Sequence, residues 1–255
     1  DIITKLKPYN VASVSPQIVD PETTSVLLTT NVKYDSASTT KSSDTIKSEV
    51  ITSITNYNTN TLQKFDAIYR HSKLTGLIDS TDTSILSNIT TVKIRKSFTP
   101  TLLSSNKYDI YFRNALFNPH SGHNATAGGI LSSTGFKIDG NDNEMFLDDD
   151  GEGNVRLYQL ESGIRTYINS TQGTISYSSG QITLNSLNVA SISNIRGATS
   201  TVIELTVTPE SNDVVPVRDQ IVEIDVSNSS VTVNSDTFVG GSADAGVGYT
   251  TTSSY

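Results

Sequence analysis

Cysteine and tryptophan are absent from this 255-residue chain, methionine occurs once and histidine three times. Without cysteine there is no disulfide framework and no thiolate zinc site. No apolar run approaches the roughly 18 residues of a membrane-spanning helix. Basic residues are also few: 18 Lys and Arg against 26 Asp and Glu leave a net charge of −8. That balance argues against non-specific nucleic-acid binding, which needs basic patches. We therefore expect neither a membrane nor a nucleic-acid partner. The start, Asp1-Ile-Ile-Thr-Lys-Leu-Lys, lacks the apolar core of a signal peptide. With Met145 the only methionine, the chain reads as a fragment of a longer protein.

What the chain has in excess is serine and threonine, roughly a quarter of all residues, which suits exposed β faces and turns. The length allows one large domain or two to three small ones. Ile89-Thr-Thr-Val-Lys-Ile-Arg-Lys-Ser-Phe98 organises it. Val92, Ile94 and Phe98 alternate with Thr91, Lys93, Arg95 and Ser97, the period of a strand with one buried face. Lys96 falls on the apolar side, where its stem can lie on the core while the ammonium reaches water. Thr99-Pro100 ends the strand, because proline offers no ladder N–H. This strand reads as the last of one domain and the hinge into the next.

Ahead of it, residues 1–25 carry Pro8, Pro16 and Pro21 and read as a linker packed on the body. Val26 to Tyr34 alternates as a strand. A serine-capped helix starts near Ser42 or Ser43 and buries Ile46, Val50, Ile54 and Tyr57. Its Thr- and Asn-rich sequence is a poor helix former, so a sheet must hold it. Phe65, Ala67 and Tyr69 alternate as a short strand, and Ser72 can cap a second helix carrying Leu74, Leu77 and Ile78. The expected fold class is therefore α+β and β-rich. Residues 26–103 form a two-layer β-α-β-α-β unit.

An antiparallel β-rich barrel or sandwich follows over 104–236, in which a break near 186–200 could separate two subdomains. Turn signals there recur every 8 to 12 residues: Asp139-Gly-Asn-Asp-Asn, Asp148-Asp-Asp-Gly-Glu-Gly-Asn, Ser162-Gly163, Gln172-Gly173 and Ser178-Ser-Gly180. Ile203, Leu205 and Val207 form a further strand, then Val222, Ile224 and Val226, with Val231 and Val233 pairing after it. Residues 237–255 are a Gly/Ser/Thr-rich tail.

Signals for chemistry are weak. Asp148, Asp149, Asp150 and Glu152 resemble a calcium loop, but the EF-hand register fails: with Gly151 at position six, position one is Phe146. A solvated hairpin turn is the simpler reading. His120 and His123 lack further zinc ligands nearby, and His71 reads as structural. Glu204 and Glu223 face outward in strands and read as solvated. Asn88, Asn124, Asn169 and Asn228 fit the glycan-acceptor pattern at the rate chance supplies. No nucleophile elbow or phosphate-cradling loop occurs. We expect no enzyme activity, no catalytic residues, no cofactor and no metal.

Five stretches carry a resemblance: Leu28-Thr-Thr-Asn-Val-Lys-Tyr-Asp35, Thr61 to Asp79 (TLQKFDAIYRHSKLTGLID), Ser84 to Arg95 (SILSNITTVKIR), Gly173 to Leu184 (GTISYSSGQITL) and Asn212 to Asp225 (NDVVPVRDQIVEID). Together they resemble the C-terminal part of the baseplate wedge subunit of T-even-like contractile-tailed phages, the gene product six family, related to baseplate J-like proteins, in its marine and cyanophage form. The resemblance implies a virion protein of the tail baseplate. It implies two copies per wedge joined into an inner ring around the hub, rearrangement on tail contraction, and contacts with itself as a homodimer or ring and with other wedge subunits. It carries no active-site residues. A secreted carbohydrate-binding or adhesin module is the alternative, hinted at by Tyr158 and Tyr167; a tail hydrolase would need paired carboxylates that are not evident. In the tail, Phe238, Val239 and Tyr249 are the candidate partner contacts, apolar anchors in a segment with too little else to bury.

Overall fold

The computed structural model of the chain describes residues 22–122, 128–217 and 220–236. It is β-rich, with an α/β sheet at the N-terminal end and a five-stranded antiparallel barrel. The sheet begins with β1 (Glu22–Tyr34), which runs four residues further back than its alternation predicts. Val26, Leu28, Val32 and Tyr34 face the core together with the buried Thr24 and Thr30, and the residues alternating with them face outward. A loop then leads to α1 (Ser43–Tyr57), whose cap is Ser42: its side chain accepts from the Thr45 N–H. Ile46, Val50 and Ile54 are fully buried, at the one-turn spacing read from the sequence, and Tyr57 packs beside them. A π-helical turn, Asn58–Leu62, extends α1.

The strand expected around Phe65, Ala67 and Tyr69 does not form. Phe65 is 59% exposed, and only Tyr69 pairs, through an isolated bridge to Val214. Both edges of the β1–β2 pair are taken by strands from the end of the chain, which leaves this segment no ladder to join. The next helix, α2 (His71–Asp79), starts one residue before the expected serine cap. Its first N–H, on His71, donates instead to Asp213 Oδ1 at 2.9 Å, a carboxylate at a helix N-terminus.

β2 (Ile85–Phe98) lies antiparallel to β1, in register from Ser25 opposite Arg95 to Lys33 opposite Ser87, with a one-residue shift before Tyr34 opposite Ile85. It is a central strand, with β1 on one side and β10 (Ile203–Val207) on the other, rather than the last strand of a domain. Lys96 is 5% exposed, and its ammonium ends on Glu22 instead of reaching water. Glu22 in turn accepts from Gln220 Nε2 at 2.9 Å. Burial pushes the lysine pKa down. For Glu22 burial acts upward, but the bonds from Lys96 and Gln220 outweigh it and lower the pKa.

The chain after residue 199, grouped above with the β-rich segment, pairs with this first sheet. β10 lies antiparallel to β2, from Ile203 opposite Phe98 to Val207 opposite Ile94. β11 (Gln220–Ile224) and β12 (Ser230–Ser235) both lie parallel to β1, one after the other, on Glu22–Val26 and Thr29–Tyr34. They do not pair with each other. Between them a 3₁₀ turn, Val226–Asn228, lifts the chain off β1 while Ser229 Oγ accepts from the Leu28 N–H. The physical reason is the same for all three strands: an apolar alternation identifies a strand but not its neighbour, and β1 and β2 each had an unpaired edge.

Between β2 and β10 the chain makes the second body. β3 (Ser105–Tyr111) and the short β4 (Ser132–Ser133) precede β5 (Phe136–Ile138), β6 (Asn141–Asp149), β7 (Asn154–Glu161), β8 (Ile164–Ser176) and β9 (Gln181–Ile192). β9 pairs with both β8 and β5, closing the ring of five; β3 adds to β9, and β4 crosses over to β10. The turn expected at Gln172-Gly173 is absent, because β8 runs straight through it. Gly173 sits where β9 approaches so closely that a Cβ would lie 2.1 Å from the Thr183 carbonyl oxygen. The barrel and the sheet share one apolar core, from Val26 and Ile54 to Phe136, Leu147 and Ile182.

Because Ile54 is fully buried under the sheet, Ile54→Asp places an uncompensated charge there. The expected loss is about 3–5 kcal/mol, read as a fall in the urea midpoint and melting temperature.

Candidate functional site: a hairpin arm and its buried root

β7 and β8 are joined by Ser162-Gly163, both at positive φ (53° and 82°), the two-residue turn whose twist suits a hairpin. β6 accompanies β7 only as far as Gln159, and β9 accompanies β8 only over Gly173–Ser176. Among the described residues, Leu160 and Glu161 pair only with Arg165 and Ile164 across the turn. They form a two-stranded arm that overhangs the barrel, and it carries Leu160 and Ile164 at 51% and 71% exposure; Ile168, 44% exposed, lies below it at the bulge between Tyr167 and Asn169. Such a ribbon is marginal on its own in water, so something must hold its base.

The base is a cluster of charge. Asp148 and Asp149, expected in a solvated turn, are 1% and 0% exposed. Successive residues of a strand point to opposite faces, so the two carboxylates serve different sides of β6. Asp148 accepts from Arg156 Nε at 2.8 Å, Arg165 Nη1 at 2.8 Å and the Tyr167 hydroxyl at 2.9 Å. Asp149 accepts from the Leu131 N–H at 2.8 Å and the Tyr177 hydroxyl at 2.6 Å, while its carbonyl accepts from Arg156 Nη2. The Asp148 carboxylate thus takes both guanidiniums. The Arg156 guanidinium lies over the Tyr167 ring at 4.3 Å and that of Arg165 over Tyr158 at 4.8 Å, so the contacts cross between the strands. Phe146 stacks on Tyr158 at 5.7 Å. Gly129 lies directly against this cluster; a Cβ there would fall 1.6 Å from Asp149 Oδ1.

This site holds protons in place. Burial pushes the Tyr158, Tyr167 and Tyr177 phenols above their usual range, and the carboxylates to which Tyr167 and Tyr177 donate push further. These phenols stay protonated donors at neutral pH. Tyr158 and Tyr167, the sequence hint of a sugar platform, each have a guanidinium on a ring face. The sequence signal that could have found the cluster is the repeat Arg156-x-Tyr158 and Arg165-x-Tyr167 on the two sides of a Ser-Gly turn. Spacing by two puts each Arg and Tyr on one face of its strand.

The other sequence candidates lie apart. Asp150 caps its own turn, accepting from the Glu152 and Asn154 N–H groups, as a hairpin turn requires. His71 starts α2, and burial pushes its pKa down; His120 is in an exposed loop, and His123 lies outside the described residues. Among the described residues no group of three or more His, Asp or Glu could hold a metal ion. Glu204, expected to be solvated, has a side chain only 13% exposed and takes both Arg196 guanidinium nitrogens, with Arg95 nearby at 3.6 Å. Phe238, Val239 and Tyr249 lie outside the described residues.

Residues 24–97, the segment from β1 to β2, match the family model described as baseplate structural protein gp6, C-terminal domain III. No curated protein matches the chain.

Asp148→Ala removes the carboxylate that the two guanidiniums share. The expected cost is about 3–5 kcal/mol, measured by urea denaturation, with the arm's amide protection lost first. Tyr177 gives a pH test. Its folded pKa is raised, so its contribution is complete below the usual tyrosine value near 10 and is lost as pH climbs above it. The stability gap between the wild type and Tyr177→Phe should be constant from neutral to about pH 9 and narrow above about pH 10.

Proposed function

We propose that this chain, which carries the C-terminal domain III of the baseplate structural protein gp6 family and is a component of the phage tail baseplate, is a wedge subunit that builds the inner ring around the hub. The observation that carries this reading is the family match over residues 24–97, which takes in nearly all of β1 and β2, the pair to which β10, β11 and β12 attach. The chain acts by contact rather than by turnover: it meets other copies of itself and other wedge subunits, and it rearranges when the tail contracts. The exposed apolar arm supports a contact role, since it holds two large aliphatic side chains, Leu160 and Ile164, in water on a protruding ribbon. The buried root supports it too, because it keeps the arm rigid and so lowers the ordering cost of binding. Phe238, Val239 and Tyr249 would add further contacts. No membrane or nucleic acid is involved in this reading.

Reconstitution tests it. The purified chain should enter wedges with the other baseplate subunits, and tails carrying a labelled copy should show the label in the inner ring beside the hub by electron microscopy. Label confined to the outer rim would overturn the inner-ring assignment.

A further inference from the structure

Where β2, β1 and β11 lie side by side, three reactive groups meet. Lys96 on β2 and Gln220 on β11 are 5% and 2% exposed, and both bind the carboxylate of Glu22 on β1, the strand between them. The Lys96 ammonium donates to Glu22 Oε1, and Gln220 Nε2 donates to Glu22 Oε2 at 2.9 Å. Glu22 and Gln220 are direct cross-strand partners. An amine and a carboxamide thus sit on the two oxygens of one carboxylate. Gln220 Oε1 accepts from the Val217 N–H at 3.3 Å, a donor that draws electron density away from the carboxamide carbon. Burial lowers the Lys96 pKa and outweighs the pull of Glu22, and the charge of Arg113 acts in the same direction as burial. The free amine is therefore closer to hand than in an exposed lysine. Thr24, beside Glu22 on the same face of β1, is 1% exposed, and its hydroxyl has no hydrogen-bond partner among the described residues. The polar bonds as they stand leave this buried site incomplete.

We propose that Lys96 and Gln220 join in an intramolecular amide cross-link, with Glu22 as the proton carrier. Glu22 takes a proton from the Lys96 ammonium, and the freed Nζ lone pair attacks Gln220 Cδ. Negative charge collects on Oε1, where the Val217 N–H meets it. Glu22 then passes its proton to Nε2, and the Cδ–Nε2 bond breaks as Nζ gives up its second proton. A Cδ–Nζ bond has replaced the Cδ–Nε2 bond. The ammonium of Lys96 and the carboxamide of Gln220 have become a secondary amide and an ammonium ion, with no change of oxidation state. A carboxamide is a poor electrophile, so proximity has to drive the step, and one carboxylate holding both reactants supplies it. The same carboxylate is base and acid within hydrogen-bond reach of both nitrogens. Glu22 keeps 46% of its side chain in water, which gives the released ammonia a way out. The reaction happens once per chain, so it is a maturation step and not turnover, and it does not rest on the wedge-subunit reading. Its product fastens the edge strand β11 to the central β2, across β1, by a bond that denaturant does not break.

The test is the mass of the full 255-residue chain, kept folded at neutral pH and then measured in denaturant. The wild type should be lighter than its sequence by one ammonia, and digestion should release a branched peptide that joins Lys96 to Gln220. The same chain held in denaturant throughout should keep its full mass, which ties the reaction to the folded site. Lys96→Met keeps an apolar stem on the core and removes the nucleophile. Glu22→Gln keeps the shape of the carboxylate but cannot take the proton. Both variants should hold their full sequence mass. The wild-type measurement decides the proposal even where a variant misfolds. A folded wild type at full mass overturns it, as does an ammonia loss that maps to other residues or that occurs equally in denaturant. A cross-link that still forms in Glu22→Gln overturns the role given to Glu22.

Discussion

Backbone groups along both edges of the β1–β2 pair have to find partners, and the last third of the chain supplies them. β10 closes the free side of β2, and β11 and β12 divide the free side of β1 between them. Each unpaired buried N–H or carbonyl would cost free energy comparable to a lost hydrogen bond, so this requirement fixes where the chain must return. It also explains the placement of charge. Lys96 sits in the middle of the sheet because Glu22 and Gln220, brought together at the starts of β1 and β11, give its ammonium an acceptor that is itself held in place. α1 and α2 then bury the apolar face that the strand pairing has assembled.

The barrel solves a different problem. Its arm has little apolar surface turned inward, and it gains rigidity from ion pairs and cation–π contacts at its root instead. A buried ion pair is a poor source of net stability against an apolar replacement, but it is directional. Here one carboxylate fixes two strands at once, since Arg156 lies on β7 and Arg165 and Tyr167 on β8. The tyrosine rings complete the arrangement by giving each guanidinium a second surface.

Much of this was legible in the sequence, and the parts that were not share a cause. The α1 stripe of Ile46, Val50 and Ile54, the Ser42 cap and the strands β1 and β2 follow from periods of 3.6 and two, which are local properties. The barrel's hairpins follow from turn chemistry, as at Ser162-Gly163. Partner choice is not local. Nothing within Ile203–Val207 says that it lies beside β2 rather than β9, and nothing near Lys96 points to Glu22, 74 residues away. Asp148 and Asp149 were misread because acidic residues beside glycine are the ordinary composition of a turn; the arginines that bury them lie on the following strands. The family resemblance agrees with the matched segment, residues 24–97, and within it the residue-level reading erred at Phe65–Tyr69, where the strand is missing.

The placing of the barrel between two paired strands has a kinetic consequence. Phe98 and Ile203 are cross-strand partners, yet about 100 residues separate them along the chain. Closing a flexible loop of that length costs on the order of 4 kcal/mol in chain entropy before the first β2–β10 hydrogen bond is made. A folded barrel removes most of that cost, because its two ends then emerge side by side. The hairpins β5–β6, β6–β7, β7–β8 and β8–β9 are all local, so the inserted body is the part with the lowest contact order. The sheet that begins the chain is thereby the last to be completed. Until it is, β1 and β2 stand with open edges, and those edges rather than the barrel are where a nascent chain is exposed to pairing with its neighbours.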